Sequence, residues 1–300
     1  MSAETPRISI GFPVFNGADF LREALDALLA QDFEDFELIV SDNASTDATG
    51  SICREYAQAD GRIRYFRADE NRGAAWNYNF VFAQARGEFF KWAAHDDVCA
   101  PQFLSRCLEV FDRSDDKVVL VYPRATLIDD DGNLLEPDSD RMETRSAFAH
   151  RRVIHVLSNV NLANAIFGLI RSPALRRTRL IGPFVASDYV LFVELAILGQ
   201  FVEVPEELFE KRVHARSSRA ANVTEGQVMR WFDPTRRHGR LTTKQRLLVE
   251  YTRSALRLSR GPIERALCVS VIAPTMLVRR IRVALGRWRR RLLRRSSPRT

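Results

Sequence analysis

Glu88-Phe89-Phe90-Lys91-Trp92-Ala93-Ala94-His95-Asp96-Asp97 reads as an apolar strand that runs out into two adjacent carboxylates. Neighbouring carboxylates repel unless they are solvated or share a cation. Three earlier segments share this strand-then-polar build. Ile8, Ile10 and Phe12 lie on one face of a short strand that Pro13 ends. Residues 36–41 form a dense apolar run, as expected of a strand buried on both faces. Residues 63–66 read as a further strand. Between these segments apolar residues recur at helical spacing. They are Leu21, Ala24, Leu25, Leu28 and Leu29, then Ile52, Cys53, Tyr56 and Ala57, then the stretch 74–85. Strand–helix alternation of this kind predicts an α/β fold, with a mostly parallel sheet sandwiched by helices.

After Asp97 the rhythm changes. Pro101 opens a helix carrying Leu104, Leu108 and Phe111, and residues 118–122 read as a strand. Asp131-Gly132 has the chemistry of a hairpin turn. Residues 136–152 are polar and charged and read as a loop. A strand near 165–170 and a helix near 188–198 follow. From Lys244 onward the pattern is helical, interrupted by Gly261-Pro262.

With 46% hydrophobic and 28% charged residues, the chain of 300 has globular composition. Its net charge of +7 is concentrated at one end. Ten arginines and no acid lie between Arg279 and Thr300, so the preceding part sits near −3. Cys53, Cys99, Cys107 and Cys268 make no C-x-x-C pair and no zinc-type spacing, which points to reduced thiols in a cytoplasmic protein. The N-terminus lacks the apolar core of a signal peptide. The apolar stretch at 266–278 is shorter than the roughly 20 residues a membrane span needs.

In open parallel sheets, ligands bind at the carboxyl ends of the strands. Four polar loops fall there: Pro13-Val14-Phe15-Asn16-Gly17, Ser41-Asp42-Asn43-Ala44-Ser45-Thr46-Asp47, Asn71-Arg72-Gly73 and His95-Asp96-Asp97. From Arg7 to about Ser218 their order and spacing resemble the family 2 glycosyltransferases. That resemblance implies the GT-A fold, a Rossmann-like mostly parallel sheet. It also implies a nucleotide-sugar donor, a divalent cation (Mn2+ or Mg2+) and transfer with inversion. The expected organisation is then a GT-A domain over 1–240, with a nucleotide-binding half at about 1–97 and an acceptor half at about 98–240. A helical, Arg-rich tail covers 241–300.

The resemblance assigns Asp42 to the N–H of a uracil-type base, although a turn or cap aspartate would look the same. A second aspartate common in the family is Asn43 here. Asp47 sits where a helix begins and reads as a cap. Pro13, Phe15 and Asn16 are placed at the nucleotide, and Arg72 at the base or diphosphate. By the match Asp97 binds the metal and Asp96 the ribose, and hard oxygen ligands suit those cations. Asp188 opens a helix after Gly182-Pro183-Phe184, where relatives place the catalytic base. An acid often found just before it is Ser187 here. Arg212-Val213-His214-Ala215-Arg216-Ser217-Ser218 resembles the segment that closes over the diphosphate. His214 is thereby expected at the metal, and Arg212 and Arg216 at phosphate. Gly168 is expected to shape the acceptor cleft.

The expected reaction moves a sugar from a UDP- or dTDP-sugar to a hydroxyl of a glycan or lipid-linked acceptor, in polysaccharide or glycolipid assembly. Apolar residues interleaved with arginines after Pro274 suggest an amphipathic helix. Such a helix would lie on an anionic membrane and place the protein peripherally at its inner face. No aromatic platform supports nucleic-acid binding. Two rival readings are a sugar nucleotidyltransferase and a non-catalytic nucleotide-sugar-binding scaffold. The first would be expected to have a basic, Gly-rich loop after the first strand, and Pro13-Val14-Phe15-Asn16-Gly17 has no basic residue. The second conflicts with the presence of Asp96, Asp97 and Asp188.

Overall fold

Strand β1 (Ile8–Val14) is buried along its whole length and pairs in parallel with β2 (Phe36–Asp42) on one side and β4 (Phe89–Trp92) on the other. Strand β3 (Ile63–Arg67) extends the sheet beyond β2. Helices α1 (Ala18–Leu29), α2 (Thr49–Ala59) and α3 (Ala74–Ala83) make the crossovers. Strand order therefore reverses at β1, and the crevice beside its carboxyl end is where an open α/β sheet takes a ligand. This computed structural model describes residues 5–137, 141–215, 217, 224–235 and 241–296.

The apolar run that opens the chain's reading is the middle of the core. Phe89, Phe90 and Trp92 are at most 1% exposed. Each contributes roughly 1.5–3 kcal/mol by leaving water. Lys91 lies between them, fully buried, and donates to the carbonyls of Trp92 (3.1 Å) and Phe167 (2.8 Å).

Beyond β4 come a short β5 (Val98–Cys99), α4 (Phe103–Asp112) and the long strand β6 (Val118–Ile128). Strand β7 (Leu134–Pro137) returns along β6 through a turn with Gly132 at φ 83°, as the Asp131-Gly132 pair predicts. The segment expected as a loop at 136–152 instead runs into α5 (Ala149–Asn159). A 3₁₀ turn (Asn164–Phe167), β8 (Leu169–Arg171), α6 (Ser172–Arg176), α7 (Ser187–Leu198) and β9 (Gln200–Arg212) complete the body. The sheet order is β3-β2-β1-β4-β8-β6-β9-β5, with β7 on the edge of β6. Strand β8 is antiparallel to both β4 and β6, while β6 and β9 run parallel. Both expected halves thus share one mostly parallel sheet.

Among the described residues three helices follow: α8 (Glu225–Phe232), α9 (Thr243–Leu258) and α10 (Pro262–Ser296). Pro274 lies inside α10, so the helix begins twelve residues before it rather than after it. The segments after 240 pack on the body. Arg179 joins Glu194 of α7 (2.7 Å) to Glu250 of α9 (2.6 Å), and Arg257 of α9 also reaches Glu194 (3.1 Å). Arg152 of α5 donates to the carbonyls of Ala196 (2.7 Å) and Ile197 (3.0 Å) at the end of α7. It satisfies acceptors that a helix C-terminus leaves open. Among the described residues no helix is long and apolar enough to cross a membrane. The four cysteines are free and buried.

Candidate active site

The loops after β1 and β2 are tied together. Asn16, at φ 50°, accepts from the Thr46 backbone N–H (2.8 Å), and its own N–H donates to Ser45 Oγ (2.9 Å). Asp47 accepts from Ala18 N–H (3.2 Å) and Thr49 N–H (3.0 Å), joining the starts of α1 and α2 as a cap would. Gly17 is a close approach: a Cβ there would lie 2.4 Å from the His95 ring. Pro13 is buried beside Ser41, whereas Phe15 stands 41% exposed at the loop tip. Asn77 bridges the ends of β1 and β2 by donating to Val14 O (3.3 Å) and Ser41 O (3.0 Å).

Asp42 is fully buried. Its carboxylate takes the Ser45 N–H (2.8 Å), the Tyr65 hydroxyl (3.1 Å) and the Arg67 guanidinium. Arg67 and Ser41, rather than Asp42, line an open cleft of about 520 Å³. A second cleft of about 480 Å³ lies on the other side of Arg72 and Trp76. The Arg72 guanidinium sits 4.8 Å from the centre of the Trp76 ring, and Trp76 stacks on Phe80. Neither cleft is lined by Asp96, Asp97 or Asp188.

The acidic pair meets the end of β9. Asp97 takes the Lys211 ammonium (2.9 Å) on one oxygen and the Arg212 N–H (3.1 Å) on the other. Asp96 faces His214 Nε2 at 3.0 Å. Burial pushes the Asp97 carboxyl up to about 6, helped by Asp96 and opposed by Lys211. Burial works the same way on Asp96, but Lys211, His95 and His214 outweigh it and hold that carboxyl below its usual range. Burial would lower Lys211, but Asp97 and Asp96 keep it firmly cationic. His95 is pulled down by burial against the charge of Asp96.

Arg212 does not fit the phosphate role read from the sequence. Its side chain is 1% exposed and donates to Asp96 O (3.1 Å), Asp129 O (3.0 Å), Asp130 O (3.0 Å) and Glu23 (2.6 Å). Arg216 lies outside the described residues. His214 is buried against Phe20 as well as Asp96. The donors expected to hold a divalent cation are thus already engaged. Lys211 covers one Asp97 oxygen and His214 faces Asp96. Among the described residues, no three His, Cys, Asp or Glu side chains cluster as a metal site. As folded, these residues do not fit a divalent cation unless Lys211 leaves.

Asp188 lies half-buried in the first turn of α7. Leu180 (φ 57°) and Ala186 (φ 62°) bracket the approach in the left-handed region, at a cost of roughly 1–2 kcal/mol each. Asn79 fixes that approach, donating to Ile181 O (2.9 Å) and accepting from Ile181 N–H (3.0 Å). Burial raises the Asp188 carboxyl to about 6 against the backbone N–H groups of Tyr189 and Asp188 itself. Among the described residues it has no ion-pair partner. The phenol of Tyr78 lies within electrostatic reach of all three acids. Burial raises it, Lys211 opposes, and the charges of Asp96, Asp97 and Asp188 all add to the rise. Tyr78, Asn79 and Lys211 carried no signal in the sequence beyond their nearness to the motifs. Gly168 packs on β6, where a Cβ would lie 2.6 Å from Val121 O.

A sheet that reverses at β1, with acids on its rim, defines a GT-A-type α/β protein. The S. aureus protein TarS (residues 1–349, with UDP-GlcNAc) matches with a TM-score of 0.62 at 18% identity, over 91% of this chain and 72% of its own. A mannosyltransferase from Pyrobaculum calidifontis, solved with GDP-Man and Mn2+, matches with a TM-score of 0.56 at 19% identity, over 93% of this chain and 75% of its own. The chain belongs to glycosyl transferase family 2, whose family model matches residues 9–180. An uncharacterized glycosyltransferase of Rickettsia felis is 35% identical over 139 residues, which are 45% of this chain and 22% of that relative. The chain therefore spans only a part of that relative. A Campylobacter jejuni GalNAc(5)-diNAcBac-PP-undecaprenol beta-1,3-glucosyltransferase is 28% identical over 192 residues, covering 63% of this chain and 60% of its own.

Proposed function

We propose that the protein transfers a hexose from a uridine or thymidine diphosphate sugar to a hydroxyl of a lipid-linked glycan, by one displacement with inversion. The observation that carries this reading is Asp188: a half-buried carboxylate in the first turn of α7, raised to about 6, with no ion-pair partner among the described residues and within electrostatic reach of the same phenol, Tyr78, as Asp96 and Asp97. A base near that value is ionised at neutral pH and can still take a proton. Asp188 removes the acceptor hydroxyl's proton as the oxygen attacks the anomeric carbon. The bond to the diphosphate breaks, and the nucleoside diphosphate leaves on the side of Asp96 and Asp97.

Phe15 and the Arg72–Trp76 stack flank the base, with Pro13 and Asn16 shaping the loop. The base N–H takes the place that Arg67 holds on Asp42, and Asp96 holds the ribose. Gly168 keeps the acceptor side narrow. A divalent cation on Asp97 and His214 would first displace Lys211. The lipid-linked acceptor is supported by the named activity of the Campylobacter relative.

The acceptor surface is proposed to be brought to a membrane by α10, which leaves Ile263, Leu267, Leu277, Val278, Ile281 and Leu285 exposed beside its arginines. Each basic residue adds about 1 kcal/mol near an anionic surface. Vesicle flotation tests this. Loss of flotation on deleting residues 262–300 is expected, and equal flotation of both forms removes the membrane role. The transfer itself is tested with a panel of labelled nucleotide sugars and an undecaprenyl-diphosphate-linked glycan. Product should form with wild-type protein and not with Asp188→Asn. Release of pyrophosphate from a sugar 1-phosphate and a nucleoside triphosphate would instead favour a nucleotidyltransferase.

A further inference from the structure

We infer that Lys211 is the resident cation of the donor diphosphate and holds the nucleotide when no divalent metal is bound. The inference rests on the transferase reading above and concerns the same rim.

A diphosphate needs positive charge beside it, and among the described residues the rim offers few candidates. Arg67 is bound to Asp42. Arg72 lies flat on Trp76, at the clefts rather than beside the acidic pair. Arg212 is 1% exposed, with its guanidinium bonded to three carbonyls and Glu23. His214 is 5% exposed and faces Asp96. Lys211 differs from all of these. An ammonium has three N–H donors. Among the described residues, that of Lys211 has one hydrogen-bond acceptor, Asp97 at 2.9 Å. Its side chain is 26% exposed, and the Phe167 ring supports it at 4.9 Å.

The charge is also fixed in place. Asp97 is 2% exposed and held from the other side by the Arg212 N–H, so it anchors the ammonium. Two donors remain for phosphate oxygens. A charge-assisted hydrogen bond to phosphate in such a site is worth about ten- to a hundredfold in affinity. The lysine thus does at Asp97 what the sequence alone assigned to a metal ion.

The test is calorimetric titration of UDP, and of GDP in parallel, into the full chain in EDTA and in Mn2+. Wild-type protein should bind one nucleotide in EDTA within about tenfold of its affinity in Mn2+. Lys211→Gln should lose about thirtyfold or more in EDTA, and Lys211→Arg should regain most of that loss. Circular dichroism melts check that each variant is folded. Should Lys211→Gln not fold, the wild-type EDTA arm and Lys211→Arg still decide. Nucleotide binding by wild type that appears only with Mn2+ overturns the role of Lys211 and leaves the transferase reading standing. Equal binding by wild type and Lys211→Gln in EDTA does the same. No binding of either nucleotide in any buffer overturns both.

Discussion

Asp97, buried, and Asp188, half-buried, are both carboxylates raised to about 6, and they are held in opposite ways. Asp97 is clasped by an ammonium and a backbone N–H, 114 and 115 residues away in sequence. Among the described residues, Asp188 has the N–H groups of its own helix start and no ion-pair partner. The first is a charge kept in position and the second a charge kept available. A paired carboxylate orients and neutralises, whereas an unpaired, partly desolvated one retains the basicity needed to accept a proton. In the proposed reaction, the two sides of the rim divide the work between holding the leaving group and activating the acceptor.

The sharpest way to break this contrast is to neutralise each acid in turn. Asp188→Asn should lower kcat by about 10²–10⁴-fold with the donor KM little changed. Asp97→Asn should act mainly on nucleotide affinity, read by titration with UDP. A comparable loss of binding in both variants would erase the division. The next largest effect concerns the support of Asp188. Arg179→Ala leaves Glu194 and Glu250 buried with fewer counter-charges. Arg257 still reaches Glu194, and Arg246 and Arg253 still face Glu250, so the substitution should cost about 1–3 kcal/mol in a denaturant melt.

The pH profile sharpens the same contrast. Below about pH 6, kcat/KM should fall tenfold per unit as Asp188 protonates. The last effect is on stability. Because the folded value of Asp188 lies above the ordinary one, folding favours its protonated form. That contribution is fully present below about pH 4 and lost as pH rises through 6. Its loss leaves a penalty of about 3 kcal/mol at pH 8. Asp188→Asn should therefore melt higher than wild type at pH 8, by up to about 3 kcal/mol, and the difference should close at pH 4. An inactive variant that is also more stable is the signature of a strained functional acid.

Much of the nucleotide half was legible because its signals are local. Period-two and period-3.6 patterns set β1 to β4 and the helices between them, and the polar loops fall where a parallel sheet opens. The second half depends on pairing between distant segments. Nothing near Leu169 tells that β8 slips in antiparallel between β4 and β6. Arg151-Arg152 in a charged stretch suggests solvent, yet Arg152 is buried because the carbonyls at the end of α7 need donors. Around the site, the acids and their loops were readable and their partners were not. Lys211 and Arg212 are adjacent cations. Only the alternation of β9 sends the ammonium to the Asp97 carboxylate and the guanidinium inward to Glu23.

Helix α7 is gripped at its far end by Arg152 and along its length by Arg179, while its first turn carries Asp188. It behaves as a post set in the frame, with its tip unable to wander. If Asp188 is the base proposed above, a substrate hydroxyl must travel to it. Discrimination among sugars then belongs to whatever guides that approach, and swapping the surrounding loops should retarget the enzyme without touching its chemistry.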